Sequence, residues 1–356
     1  MTSLPPLRID AGVVELTAQL IDIPSESHHE SALADLVADA LAACEHLQVD
    51  RFGDTIVART DLGRSNRVLI GGHLDTVPAN GNLPHRTEGD LIYGLGAADM
   101  KAGLAIGLRL ATTVSSPARD VTYVFYSGEE VAAQFNGLGH VMQRNPELLA
   151  CDAAILMEPT NGIVEAGCQG TMRVQIAIPG ERAHSARSWM GVNAIHSSRQ
   201  VLTILEEYQP RRPIVEGLEY REGLNAVAIT GGIAGNVIPD ECIVTVNYRF
   251  APDRSVAEAE AHLREVFSGW ELTVVDEAPA ARPGLDLPMI QDFAAAMGSP
   301  AQPKFGWTDV ARFAALDVPA LNFGPGDPTL AHHQDECVSM TQVLDVESRM
   351  RNWLTQ

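Results

Sequence analysis

The sequence predicts an α/β protein: a mixed, mostly parallel sheet flanked by helices, with a ferredoxin-like α+β domain inserted into it. Three observations predict this. Short apolar runs alternate with segments of helical period up to about residue 171. From there the strands alternate apolar and polar residues, in a βαββαβ order. After a loop at 278–287 the first texture returns. The expected division is residues 1–171 with 285–356 as one domain, and 172–284 as a second domain inserted into it.

Taken in order, Leu33, Leu36, Val37, Leu41, Cys44 and Leu47 share one face of a helix expected over 31–47, with Ser31 as a candidate cap. Residues 67–71 form an apolar run ending in glycine, the pattern of a buried strand. An Ala/Leu-rich helix is expected over 101–114, and further buried strands over 121–126 and 153–157. Residues 172–178 alternate, which suits an antiparallel strand with one wetted face. A helix over 192–208 follows, then strands over 225–233 and 241–250, a helix over 255–267 and a strand over 271–276. No internal repeat or low-complexity stretch interrupts this order.

The 356 residues are 46% hydrophobic with a formal charge of −21, enough for a sizeable core and about two domains. An acidic surface of that kind repels nucleic-acid backbones and anionic membranes. The N-terminal residues lack the pattern of a secretory signal, and no apolar run approaches the ~18 residues of a membrane span. The five cysteines are scattered without a CxxC pair and are expected to be reduced and mostly buried, so a cytoplasmic protein is expected.

Five segments carry the candidate chemistry. In Gly72-His73-Leu74-Asp75, two residues two apart in extended chain point to one side, so Asp75 is placed to hold the second nitrogen of a ligating His73. Gly94-Leu95-Gly96-Ala97-Ala98-Asp99 lacks the third glycine of a dinucleotide loop, and reads as a tight loop presenting Asp99 before a helix. A carboxylate there can bridge two cations. Ser127-Gly128-Glu129-Glu130 ends a strand with adjacent acids that diverge, one suited to a metal and the other to a reacting water. Met157-Glu158-Pro159-Thr160 and Ala331-His332-His333-Gln334-Asp335-Glu336 complete the set. Each segment alone is equally a solvated loop. Together they supply histidines and carboxylates without a thiolate, a donor set suited to Zn²⁺, Co²⁺ or Mn²⁺.

In this order, GHLDTVP, GLGAADMKAG, YSGEE, MEPT and AHHQDE resemble the aminoacylase/glutamate-carboxypeptidase family of dinuclear metallohydrolases, over nearly the whole chain. The resemblance implies a zinc-peptidase-like catalytic domain with an inserted lid and dimerisation domain. It implies two divalent metal ions, Zn²⁺ with Co²⁺ as a substitute: His73, Asp99 and Glu158 on one, Asp99, Glu130 and His332 on the other. By the same resemblance Glu129 is the general base, Asp75 the partner of His73, and His184 a lid histidine that polarises the scissile carbonyl in a neighbouring subunit. Asn236 and Arg249 match positions that bind substrate carboxylates, and a cis peptide is implied between Asp99 and Met100. In the His332–His333 doublet, the H-x-x-D-E spacing favours His332. Two positions depart from relatives: Leu95 stands where many have arginine, and Gly306-Trp307-Thr308-Asp309 replaces a Ser/Gly/Thr-rich stretch.

The segments GWTDVARF and NFGPGDPTLAHHQDE are most similar to the branch that acts on N-succinyl-LL-2,6-diaminopimelate. The expected reaction is therefore metal-dependent hydrolysis of that amide in a homodimeric, small-molecule enzyme with no nucleic-acid or membrane partner. The metal ligands alone equally suit an acetylornithine deacetylase or a related amidohydrolase or carboxypeptidase.

Overall fold

A computed structural model describes residues 4–356. The chain forms two compact units. One comprises the residues through Ala166 with Gly284–Gln302 and Arg312–Gln356; the other comprises Gly167–Pro283 with Pro303–Ala311.

The larger unit is built on an eight-stranded sheet. Its centre is parallel: Arg67–His73 lies between Asp120–Tyr126 and Ala153–Leu156, and Ala320–Asn322 extends it beyond the latter. Gln48–Phe52 and Thr55–Arg59 add an antiparallel hairpin at one side. The Asp120–Tyr126 strand is buried at every position, as expected of a sheet covered on both faces. The helix Ala102–Thr113 packs between this sheet and other helices and buries nine of its residues. Gly103 permits this approach, because a Cβ there would lie 2.1 Å from the Met157 carbonyl oxygen. The C-terminal helix Met340–Thr355 is capped by the Ser339 hydroxyl, which accepts the Gln342 N–H at 3.1 Å.

The smaller unit has a four-stranded antiparallel sheet in the order Gly223–Gly231, Glu241–Phe250, Gly170–Pro179, Glu271–Ala278. Alternation along Gly170–Pro179 sends Met172, Val174, Ile176 and Ile178 into a core shared with Val244, Val246, Tyr248, Leu263 and Phe267. The helix Val256–Val266 opens with a reciprocal cap: Ser255 accepts the Glu258 N–H, and the Glu258 carboxylate accepts the Ser255 N–H.

Some boundaries differ from those expected. The first long helix spans Ser31–Ala42 and excludes Cys44 and Leu47, because the Leu47 N–H donates to the Cys44 carbonyl and closes a turn. Ser31 does not cap it; its hydroxyl donates to Asp54 at 2.7 Å. The helix expected over 192–208 begins at Ala194, capped by Asn193, and breaks at Ser198 into Ala194–Ser197 and Arg199–Glu207. Val192 instead bridges to Glu181. The five cysteines are free, but only Cys168 and Cys242 are fully buried. Among the described residues no helix is long and apolar enough to cross a membrane.

Candidate metal centre

Three neighbouring parallel strands end at the same edge of the large sheet, so the residues that follow them emerge side by side. His73 closes the first strand opposite Tyr126, the Ser127–Glu130 turn follows the second, and Met157–Glu158 follows the third.

His73 is 1% exposed. Its Nε2 lies 3.1 Å from Asp99 Oδ1, while Nδ1 lies 2.9 Å from the main-chain carbonyl of Asp75. The Asp75 carboxylate is farther, at 3.6 Å, so the main chain of this residue makes the closer hold on the ring. That carboxylate is engaged elsewhere: it accepts the Ser27 hydroxyl at 2.8 Å and the N–H groups of Glu129 and Glu130 at 3.0 Å each. Burial opposes its charge, but His73 and the two amides outweigh burial and bring its pKa down to about 2. The same turn is held from the other side, where the buried Glu30 carboxylate accepts the Gly128 N–H at 3.1 Å.

Asp99 follows Gly96, which has φ 75°, and its bond to Met100 is cis. Burial works against its charge as well, yet His332 and His73 hold its carboxyl well below the usual range. His332 Nε2 lies 2.9 Å from Glu130 Oε1 and 3.6 Å from Asp99 Oδ2. Facing Asp99 and Glu130, the imidazole is pushed up to about 10. His332 is thus the member of the doublet that meets these acids.

The ligating atoms form two overlapping groups, His73–Asp99–Glu158 and Asp99–Glu130–His332, each lying within 4.8 Å of one another. Glu129 lies in a third such group with His73 and Glu130. Four carboxylates this close repel one another unless cations lie between them. Histidine with carboxylate is a borderline-hard donor set, and one acid common to two trios could serve two divalent cations at once. The residues fit such a pair.

Sequence reasoning passed over several residues that shape this site. Glu336, noted only for its spacing from His332, sends a buried carboxylate to the main-chain N–H groups of Gly96, Ala98 and Asp99 at 3.0, 2.8 and 2.9 Å. Lys101 is also buried and donates to the Ile23 carbonyl at 2.7 Å; burial lowers its pKa to about 7. A charged residue inside an otherwise apolar helix start was the signal available for it.

The other expected site residues lie in the smaller unit. His184 is exposed on a two-residue strand paired with Val237–Ile238, and its Nδ1 accepts the Ala186 N–H. The Asn236 carbonyl accepts the Ser185 N–H at 2.9 Å, so these two segments are neighbours. Arg249 stands opposite Gly223 and Thr171 in the sheet. It forms no ion pair among the described residues, and burial, then the nearby Arg173, lower its pKa.

Peptidase family M20/M25/M40 matches residues 69–355. A Mycobacterium tuberculosis protein provisionally named a succinyl-diaminopimelate desuccinylase is 52% identical over 96% of this chain and 97% of its own. The succinyl-diaminopimelate desuccinylase of Corynebacterium glutamicum is 43% identical over 99% of this chain and 98% of its own. Among solved structures, a Staphylococcus aureus tripeptidase superposes with a TM-score of 0.79 at 20% identity, covering 98% of each chain. A Bacillus subtilis protein described as a dinuclear metal binding peptidase of the M20 family gives 0.71 at 16% identity, covering 97% of each.

Proposed function

The chain belongs to peptidase family M20/M25/M40, and from that premise we propose that it hydrolyses N-succinyl-LL-2,6-diaminopimelate to succinate and LL-2,6-diaminopimelate. One observation carries the reading: a chain alike over nearly its full length to desuccinylases gathers two histidines and three carboxylates into trios that share Asp99.

His73, Asp99 and Glu158 would hold one divalent ion and Asp99, Glu130 and His332 the other, with Zn²⁺ the first choice and Co²⁺ a substitute. Ions so held supply Lewis acidity toward an amide carbonyl and toward water. Glu129 takes the proton of the attacking water as the C–O bond forms and delivers it to the amine nitrogen, after which the C–N bond breaks. Asp75 keeps Glu129 in place through the amides of residues 129 and 130. His184 donates to the carbonyl oxygen from a neighbouring subunit. The substrate carries three carboxylates, whereas the protein has a net charge of −21, so binding needs local cations. Arg249, with no acid bonded to it, supplies one, and Asn236 adds a neutral donor. The protein works in the cytoplasm as a homodimer formed through the smaller unit.

The test is a hydrolysis assay comparing N-succinyl-LL-2,6-diaminopimelate with N-acetylornithine. Chelator abolishes turnover of the succinyl substrate, and Zn²⁺ or Co²⁺ restores it; preference for the acetyl substrate overturns the assignment. Glu129→Gln retains metal but loses about 10²- to 10⁴-fold in kcat. A variant with wild-type kcat removes Glu129 from the proton transfer.

A further inference from the structure

We propose that Glu336 is a positioning residue that locks the Asp99 loop to the His332 loop and thereby sets the affinity of the site for the cation that Asp99 and His332 share. The inference rests on the two-cation reading above and extends it to a residue outside every candidate ligand group.

Glu336 is 1% exposed, and both of its carboxylate oxygens accept main-chain N–H groups. Oε2 accepts the Gly96 N–H, and Oε1 accepts those of Ala98 and Asp99, all between 2.8 and 3.0 Å. Its main chain adds two further bonds: its carbonyl accepts the Gly94 N–H at 3.0 Å, and its own N–H donates to the His333 carbonyl at 3.1 Å. One residue therefore grips four of the six positions from Gly94 to Asp99 and also ties itself to the turn that carries His332. The two ligands stand 3.6 Å apart across a gap of more than two hundred residues, and Glu336 bonds the main chain of both loops.

Main-chain N–H groups of nearby residues that converge on one group form a concave acceptor site. Here the acceptor is a side chain of the protein itself, and its two acceptor oxygens and its reach matter separately. Glutamine would turn an NH₂ toward at least one of the three N–H donors. Aspartate keeps both acceptor oxygens but is one methylene shorter. The Asp99 carboxylate is aimed by the main chain that Glu336 holds, so loosening that loop misdirects an oxygen needed on both sides of the pair. Partners of this kind behind a metal ligand are typically worth about 10- to 100-fold in metal affinity.

The experiment is a Zn²⁺ titration of the chelator-stripped full chain against a chromogenic competitor, with circular dichroism as the check of fold. Wild type should bind two equivalents. Glu336→Gln should bind at least one of the two equivalents about 10- to 100-fold less tightly, and Glu336→Asp should fall between. Glu347→Gln is the control, altering an acid that is also buried but holds Arg109 and Arg351; its thermal midpoint should shift with both Zn²⁺ affinities unchanged. A folded Glu336→Gln with wild-type affinity at both sites overturns the proposal, and if that variant does not fold, wild-type affinity in Glu336→Asp does so. Wild type failing to bind Zn²⁺ overturns the two-cation reading and this proposal together; two normal equivalents in both wild type and variant overturn this proposal alone.

Discussion

Asp75 does two jobs with different atoms. Its carbonyl holds Nδ1 of His73, which leaves Nε2 directed at Asp99, and its carboxylate gathers Ser27 and the amides of Glu129 and Glu130. Spacing alone showed that Asp75 could face His73, because residues two apart in a strand share a side. It could not show which oxygen does the holding. Glu30 and Glu336 were illegible for the same reason: their partners are main-chain N–H groups, which every residue except proline carries and which leave no mark on residue type. The candidate ligands themselves were legible as chemically distinct side chains: His73, Glu130 and Glu158 stand at or soon after strand ends, and Asp99 and His332 stand in loops marked by glycine and by a histidine doublet. The role of Asp75 predicts that Asp75→Asn, which puts an NH₂ among N–H donors, lowers kcat about 10- to 100-fold with little change in KM. Steady-state kinetics on the Zn²⁺-loaded variant checks it, and an unchanged kcat would mean that the Glu129 turn keeps its shape without the carboxylate.

At the scale of elements, the parallel strands were readable because burial on both faces leaves continuous apolar runs. Helix ends were less so: the apolar face that runs on to Leu47 belongs first to a helix and then to a turn, and periodicity does not record the change. The start of the Asp120–Tyr126 strand rests on a contact that no pattern announces. Asp120 accepts the Thr60 hydroxyl at 2.7 Å and the N–H groups of Leu62 and Arg64 at 2.8 Å each, closing the loop that enters the neighbouring strand. Burial raises its pKa, but these donors and Arg67 outweigh burial and lower it. A carboxyl with a folded pKa below its unfolded value of about 3.9 stabilises fully above that value, and loses the contribution as pH falls through the folded pKa. Asp120→Asn should therefore cost about 1–3 kcal/mol at pH 7, with the gap to wild type closing as the pH drops below about 4. Denaturant unfolding of both proteins at several pH values measures this; a gap constant with pH would mean that the charge of Asp120 contributes nothing.

For the molecule as a whole, the βαββαβ unit was legible because its alternating strands differ in texture from the buried runs around it. Pro303–Ala311, which groups with that unit, was not, since a short irregular segment carries no periodicity to say where it packs. The smaller unit also leaves apolar side chains in water. Its edge strand Gly223–Gly231 exposes Val227 by 58% and Ile229 by 49%, and Ile233 just beyond is 68% exposed. An edge with free N–H and C=O groups and apolar side chains invites a second strand, and a monomer normally guards it with charge. The proposed homodimer would cover it. Two chains of charge −21 repel each other, so a contact through these apolar side chains should tighten as salt screens the repulsion. Replacing Val227 and Ile229 together by lysine should convert a dimer to a monomer in sedimentation equilibrium. Because both side chains already face solvent, the thermal midpoint of the separated chain should change little. A wild-type chain that sediments as a monomer at every salt concentration would rule out the dimer, and with it the delivery of His184 from a neighbouring subunit.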